Sequence, residues 1–260
     1  MFQTLKKSFF FITLSLCIVI KSLGQIAINI NSGNPVYPFP QFQPYTWAGG
    51  HYLGNLATKN SPGVTHAEME QRIRDAYQIM MNRAEYTGAT IGGVKLIHYK
   101  SNPDCSEGDG YGLLGMAMMC DKPAFDGLWM WLHDHRLHGS ISDPLKSFAN
   151  GAALPTGRAY CLGWIGNGAD CATDGDVDIA LALLIAYKQW GEHSGVTTAL
   201  GEMNYRTEAI RFINGLVQKE EGYNIGDQEF LSGEIGFDGY IKSGDTWGEL
   251  TNWATGMVPG

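Results

Sequence analysis

"SEGDGYGLLGMAMM" (residues 106–119) sets Glu107 and Asp109 in front of an apolar run with the pattern of a buried helix. "ATDGDVDIALALLIA" (172–186) repeats the arrangement with Asp174, Asp176 and Asp178. Helix capping accounts for part of this. A Ser, Thr or Asp just ahead of a helix accepts a hydrogen bond from an orphan amide, and an acid in the first turn complements the positive end of the dipole. Ser106 is placed to cap the first helix, and Thr173 or Asp174 the second. Capping does not account for Gly108, Gly110 and Gly112, since each glycine in a helix costs roughly 1 kcal/mol against alanine. Glycine so dense beside an acid implies that something approaches the backbone closely. A Glu buried in such a site has its pKa raised and holds a proton at neutral pH, as a general acid requires. Three acids within one turn repel one another, so at least one of Asp174, Asp176 and Asp178 is expected to contact a ligand or a loop.

The alternating aspartates also resemble the opening of a calcium loop. Ile179 stands where that loop needs glycine and Ile185 where it needs glutamate, which rejects an EF-hand. His133, His135 and His138 are near neighbours without a zincin-like pairing, so no metal site is expected. There is no nucleophile elbow for serine chemistry.

Working outward, Thr65 and Glu68 have the spacing of a capping box. Met69, Ile73, Ala76, Ile79 and Met80 follow at intervals of three and four, predicting a helix to about Arg83 along that apolar stripe. Further helices are expected at 110–119, 124–136, 176–190 and 204–220, with Gly-rich loops between them, notably 139–175. "GVKLIHY" (93–99) is a strand signal, too short to build a sheet alone. The fold class is therefore mainly α, with long functional loops. Trp129 and Trp190 lie within the expected helices and read as core. Trp164 ("CLGWIGNG") and Trp247 ("SGDTWGEL") lie in Gly-rich loops, and ring faces of that kind stack on sugar rings.

At the N-terminus, Lys6 and Lys7 precede an apolar stretch from Phe9 to Ile20, and Ser22 and Gly24 are small. Residues 1–24 are therefore expected to be a secretory signal peptide. The apolar stretch is short for a membrane span, so no membrane association is expected after cleavage. Residues 25–64, rich in Pro, Gly, Asn and aromatics, read as an irregular arm packed on a domain beginning at 65. The formal charge is −8 and no basic stripe interrupts it, which argues against a nucleic-acid partner. Acidity with many Trp and Tyr fits a protein that meets neutral substrates through aromatic surfaces.

Beyond the leader stand Cys105, Cys120, Cys161 and Cys171, matching no zinc pattern. Export favours disulfides. A helix between Cys105 and Cys120 separates them by on the order of 20 Å at ~1.5 Å per residue, beyond disulfide reach. Cys105–Cys171, Cys161–Cys171 and free thiols all remain open. Cys105–Cys171 is the working expectation, because both cysteines stand just ahead of an acid expected to face the same cleft.

"SEGDGYGLL", "FDGLWMWLHDH", "ATDGDVDIALALLIAYKQWG", "YRTEAIRFI" and "SGDTWG" occur in the order seen in glycoside hydrolase family 8. The chain resembles that family from about residue 65 to its end. The resemblance implies an (α/α)6 barrel whose inner helices present their ends to an open cleft. It also implies hydrolysis with inversion, on substrates such as cellulose, mixed-linkage β-glucan, xylan or chitosan, without a cofactor. Carried over by position, Glu107 matches the proton donor and Asp174 the carboxylate that holds the distorted sugar. Trp164 and Trp247 look like sugar-stacking positions, and Tyr111 joins them as a substrate-binding candidate. Asp109 and Asp176 are not expected to be catalytic.

One departure matters. An inverting mechanism needs a second carboxylate to activate water, ~6.5–9.5 Å from the acid. In the family it lies in a motif resembling Tyr-Asp-Ala-x-Arg, which this sequence lacks. The sequence also has fewer strong helices than the twelve such a barrel needs. Residues 65–260 are thus expected to be part of a barrel, not competent as a glycanase alone. The expected function is that of an exported (secreted, periplasmic or cell-surface) endo-acting hydrolase of β-1,4-linked polysaccharide, cellulose or β-glucan. The alternatives are an endo-xylanase, a cellulose-synthesis accessory hydrolase and a non-catalytic carbohydrate-binding fragment.

Overall fold

The computed structural model describes residues 26–37, 66–101, 103–137, 146–153, 160–165 and 171–217. Residues 1–25, among them the expected leader, together with Trp247, His138, Thr65 and most of the 25–64 arm, lie outside the described residues. Among the described residues five helices and two hairpins follow in order. They are α1 (His66–Met81), β1 (Ala84–Ile91), β2 (Val94–Tyr99), α2 (Ser106–Met118), α3 (Lys122–His135), α4 (Thr173–Trp190), β3 (His193–Thr198), β4 (Gly201–Asn204) and α5 (Tyr205–Val217). The chain is mainly helical, as its periodicity predicts.

Helices α2 and α4 form the central pair. At one end, Glu107 hydrogen-bonds Asp174. At the other, the Gln189 amide nitrogen lies 2.9 Å from Cys120 Sγ. Contacts at both ends fix the two helices side by side and parallel. Helix α3 turns back after the short 119–121 connection, and its C-terminal Arg136 returns to Asp109 near the start of α2, so it runs antiparallel to α2. Helix α5 begins where the Tyr205 amide bonds Glu192 O, at the end of α4. Its Gly215 lies against the Tyr160 backbone, beside the Cys161 that is bridged to Cys171 at the start of α4. Helix α5 is therefore antiparallel to α4, and the order alternates in direction around the central pair.

Local chemistry sets the boundaries. Asp121 caps α3 through the Ala124 amide, with Pro123 in the first turn where its missing N–H costs nothing. The same carboxylate accepts from the Tyr77 hydroxyl (2.9 Å) and the Asn29 amide (3.1 Å), tying α1 and the 26–37 arm to α3. The arm has no regular element and crosses the far ends of α2 and α4, with Ser32 N on Cys120 O and Val36 N on Gln189 O. Gly191, at φ 84°, stops α4. The core is aromatic. Trp129, Phe125, Tyr205 and Phe212 are buried, and Trp129 meets Phe212 edge to face at 6.0 Å between ring centres. Among the described residues no helix is long and apolar enough to cross a membrane.

Three expectations need correction. The strand signal at 93–99 has a partner: β2 pairs antiparallel with β1, with Ile91 opposite Val94 across Gly92-Gly93, both at positive φ. That two-glycine turn matches the twist of a hairpin, and β3–β4 is a second hairpin, also antiparallel. The alternation in "AEYTGATI" is masked because only its two ends are buried. Helix α1 forms, but it buries Tyr77 and Met81, packs Met80 partly buried on the core and leaves Ile73, Ala76 and Ile79 exposed, so only the Met80 edge of the expected stripe belongs to its packed face. Helices α2 and α4 begin at 106 and 173, not 110 and 176, because the acid-glycine turns are themselves helical.

The glycines of those turns explain the close pairing. A Cβ on Gly175 would lie 2.5 Å from the Ser106 carbonyl carbon and 2.6 Å from Glu107 N. One on Gly110 would lie 2.8 Å from Gly175 O. At Gly110 and Gly175 what approaches the backbone is therefore the other helix, whereas Gly108 packs on Ser101 and Gly112 on Tyr99 and Leu128. Gly175→Ala gains about 1 kcal/mol of helix propensity but forces backbone apart in a close-packed contact, at about 1–3 kcal/mol or more. The expected outcome is a net loss of stability in urea denaturation; a variant more stable than the parent would contradict this packing.

Candidate active site

Both central helices start without a side-chain cap. Their N-cap residues are Cys105 and Ala172, each in extended conformation. Ser106 and Thr173 are therefore first helical residues, not caps, and Ser106 Oγ and Thr173 Oγ1 are buried without a hydrogen-bond partner. Counted from these starts, the two mouths correspond residue by residue: Ser106 with Thr173, Glu107 with Asp174, Gly108 with Gly175, Asp109 with Asp176. Each second residue points outward, Glu107 half-buried and Asp174 exposed. Each fourth residue is fully buried.

The outward pair meets. The hydrogen bond with Asp174 is the largest influence on Glu107 and raises its pKa above the usual carboxylate value. The negative charge of Asp174 and partial burial act in the same direction, and a hydrogen bond from Cys105 opposes them. Cys105 Sγ lies 3.6 Å from Glu107 Oε2. Two carboxyl groups this close favour one shared proton, and Glu107 is the one pushed toward keeping it. Asp178, one turn further along α4, is also raised, by burial and then by the charge of Asp174.

The buried pair anchors a neighbouring segment. Asp176 accepts the Leu162 amide with both oxygens at 3.2 Å. Asp109 forms an ion pair with Arg136, whose other terminal nitrogen donates to Gly163 O (2.7 Å) and Trp164 O (3.0 Å). Ser106 N also donates to Trp164 O, at 2.9 Å. Burial pushes the Asp109 carboxyl up to about 7, with Arg136 opposing the rise. Trp164 is thereby held at the α2 mouth with 36% of its surface exposed. Tyr111 lies four residues after Glu107, on the same face of α2, and is 59% exposed. Trp129 is buried as expected, and Trp190 packs partly buried against the core.

The disulfide is Cys161–Cys171, so the expected Cys105–Cys171 pairing is wrong. Cys105 is consumed by the start of α2, a buried free thiol facing Glu107. The described residues bring Cys161, Cys171 and Asp176 together, but the bonded sulfurs are not available as thiolates. His133 is buried on Phe148 with Nδ1 bonded to Asp134, and His135 stacks on Trp131; both histidines serve packing.

The profile of glycosyl hydrolases family 8 matches residues 92–241. The chain belongs to that family. It is 30% identical over 192 residues to a "Beta-glucanase" of Niallia circulans, covering 72% of this chain and 40% of that protein. It is 34% identical over 148 residues to "Endoglucanase C" of Ruminiclostridium cellulolyticum, covering 55% of this chain and 24% of that protein. The chain thus spans well under half the length of these two relatives. The fold resembles that of the apo β-1,3-1,4-glucanase of Paenibacillus sp. X4, with a TM-score of 0.54 at 23% identity, over 84% of this chain and 48% of that one.

Of the residues singled out in this family 8 chain from sequence, Glu107, Asp174, Trp164 and Tyr111 lie at or beside the two helix mouths. Trp247 lies outside the described residues. Arg136 was not foreseen. Its signal is faint, one basic residue closing the aromatic α3 run "FDGLWMWLHDHR", and only its burial marks it.

The pair makes a titration testable. Because the native pKa of Glu107 is raised, the native state holds this proton more tightly than the unfolded chain. The Glu107 contribution to stability is present at low pH and is lost as pH climbs through the raised value. Asp174→Asn removes the charge, so the midpoint of Glu107 should fall back toward the ordinary glutamate range. Carboxyl 13C NMR, with Glu107→Gln as assignment control, measures it; an unchanged midpoint would remove Asp174 as the cause.

Proposed function

We propose that this chain is the acid-bearing part of an exported, endo-acting hydrolase of β-1,4-linked glucan, built on an (α/α)6 barrel. In this reading α2 and α4 are parallel inner helices, with α3 and α5 returning antiparallel outside them. The observation that carries the proposal is the hydrogen bond between Glu107 and Asp174 at two adjacent helix mouths, beside an exposed Trp164. The names of the two relatives, a β-glucanase and an endoglucanase, favour glucan over xylan.

Glu107, biased toward its protonated form by its neighbour, donates its proton to the glycosidic oxygen as the bond to the anomeric carbon breaks. Once its hydrogen bond to Glu107 gives way to the sugar, Asp174 holds a ring hydroxyl and lies near the positive charge that develops on the ring. Trp164 and Tyr111 supply ring faces for adjacent sugars, with Trp247 a further candidate. Water attacks from the opposite face, with inversion, and the carboxylate that activates it is assigned to no residue described here. The leader supports export to the polysaccharide.

In the enzyme carrying this segment, Glu107→Gln should lower kcat on β-glucan roughly 10²–10⁴-fold while oligosaccharide affinity is retained. Asp174→Asn should lower kcat and kcat/KM together, as the loss of a transition-state contact does. Reducing-sugar release and calorimetric binding of cellohexaose provide the two readouts. Retained hydrolysis in Glu107→Gln would remove Glu107 from the mechanism. Tight binding by the parent without hydrolysis would favour a carbohydrate-binding role.

A further inference from the structure

Asp109 and Asp176 are fully buried, and both act on one short segment. Asp176 takes the Leu162 amide; Asp109 grips Arg136, which takes the Gly163 and Trp164 carbonyls. The Arg136 carbonyl accepts the Gly163 amide at 3.0 Å, and Leu137 bridges Leu162. Residues 162–164 are thus fixed from the α2 side, from the α4 side and by the end of α3. Cys161–Cys171 closes the same stretch covalently.

We propose that Arg136, clamped by Asp109, is a positioning residue that sets the Trp164 ring relative to Glu107 and so contributes to sugar affinity. The inference rests on the reading of the helix mouths as a sugar site. Stability alone is a poor reason for the arrangement. A buried ion pair is often no more stabilising than apolar side chains of the same volume, and here Asp109 Oδ1 and Arg136 Nε are left without partners. What the pair provides is geometry. A planar guanidinium meets one carboxylate and two carbonyls at once, in fixed directions, whereas a lysine ammonium on a flexible stem does not. The second carboxylate near the fork, Asp104 at 3.9 Å, is itself bonded by His98. Trp164 therefore hangs from a rigid fork seated on the same helix that carries Glu107.

The test separates geometry from charge. The 260-residue chain is labelled with 5-fluorotryptophan, and the Trp164 and Trp129 resonances are assigned by single Trp→Phe variants. Arg136→Lys retains the positive partner of Asp109 but removes the fork. The expected result is a shifted or broadened Trp164 19F resonance with the Trp129 resonance unmoved, and cellohexaose affinity reduced about tenfold. Asp109→Asn, which keeps the side-chain shape, should displace the same resonance and stands in if the lysine variant does not fold. A Trp164 resonance at its parent position in the folded variants would overturn the proposal. If the parent binds no cellohexaose, the sugar-site reading fails, and the Trp164 resonance still decides whether the fork positions the ring.

Discussion

The contact on which the rest depends is the near-touching of two helix starts. With hydrogen in place of Cβ at Gly110 and Gly175, the first turns of α2 and α4 approach until backbone meets backbone. That spacing lets a glutamate on one helix and an aspartate on the other share a hydrogen bond. The glycine count that makes each turn a poor isolated helix is thus the condition for pairing two of them. Tertiary packing, not propensity, holds these turns helical.

Each motif divides its acids by depth. The outward residues, Glu107 and Asp174, meet each other at the helix mouths. Their mutual repulsion is relieved by one proton, which biases Glu107 toward the acid form although a helix N-terminus favours the anion. The inward residues, Asp109 and Asp176, are arranged for position, holding the segment that carries Trp164. In the proposed reading, proton donor, sugar-holding carboxylate and stacking ring are thereby set by one pair of helices and the segment bonded to them.

The helices were legible in the sequence wherever apolar residues recur at helical spacing, and the two acidic motifs marked the paired helix mouths of the candidate site. The glycines correctly signalled a close backbone approach. They did not say what approaches, since pairing between residues far apart in sequence leaves no local pattern. Propensity alone puts the helix starts late, at 110 and 176, because Gly and Asp disfavour helix, and it offers Ser106 and Thr173 or Asp174 as caps. The disulfide was misassigned for a related reason. The distance that decides it depends on Cys105 lying at the start of α2, its thiol toward Glu107. Strand β1 was missed because exposed polar residues fill its middle, and Arg136 because one buried cation has no periodicity.

The most direct test of the paired mouths as a sugar site is a crystal structure of the Glu107→Gln protein with cellohexaose. The expected result is a glycosidic oxygen within hydrogen-bond distance of residue 107, with Asp174 on a hydroxyl of the adjoining sugar and Trp164 stacked on a ring. Density for the oligosaccharide elsewhere, with residue 107 and Asp174 still bonded only to each other, would contradict it.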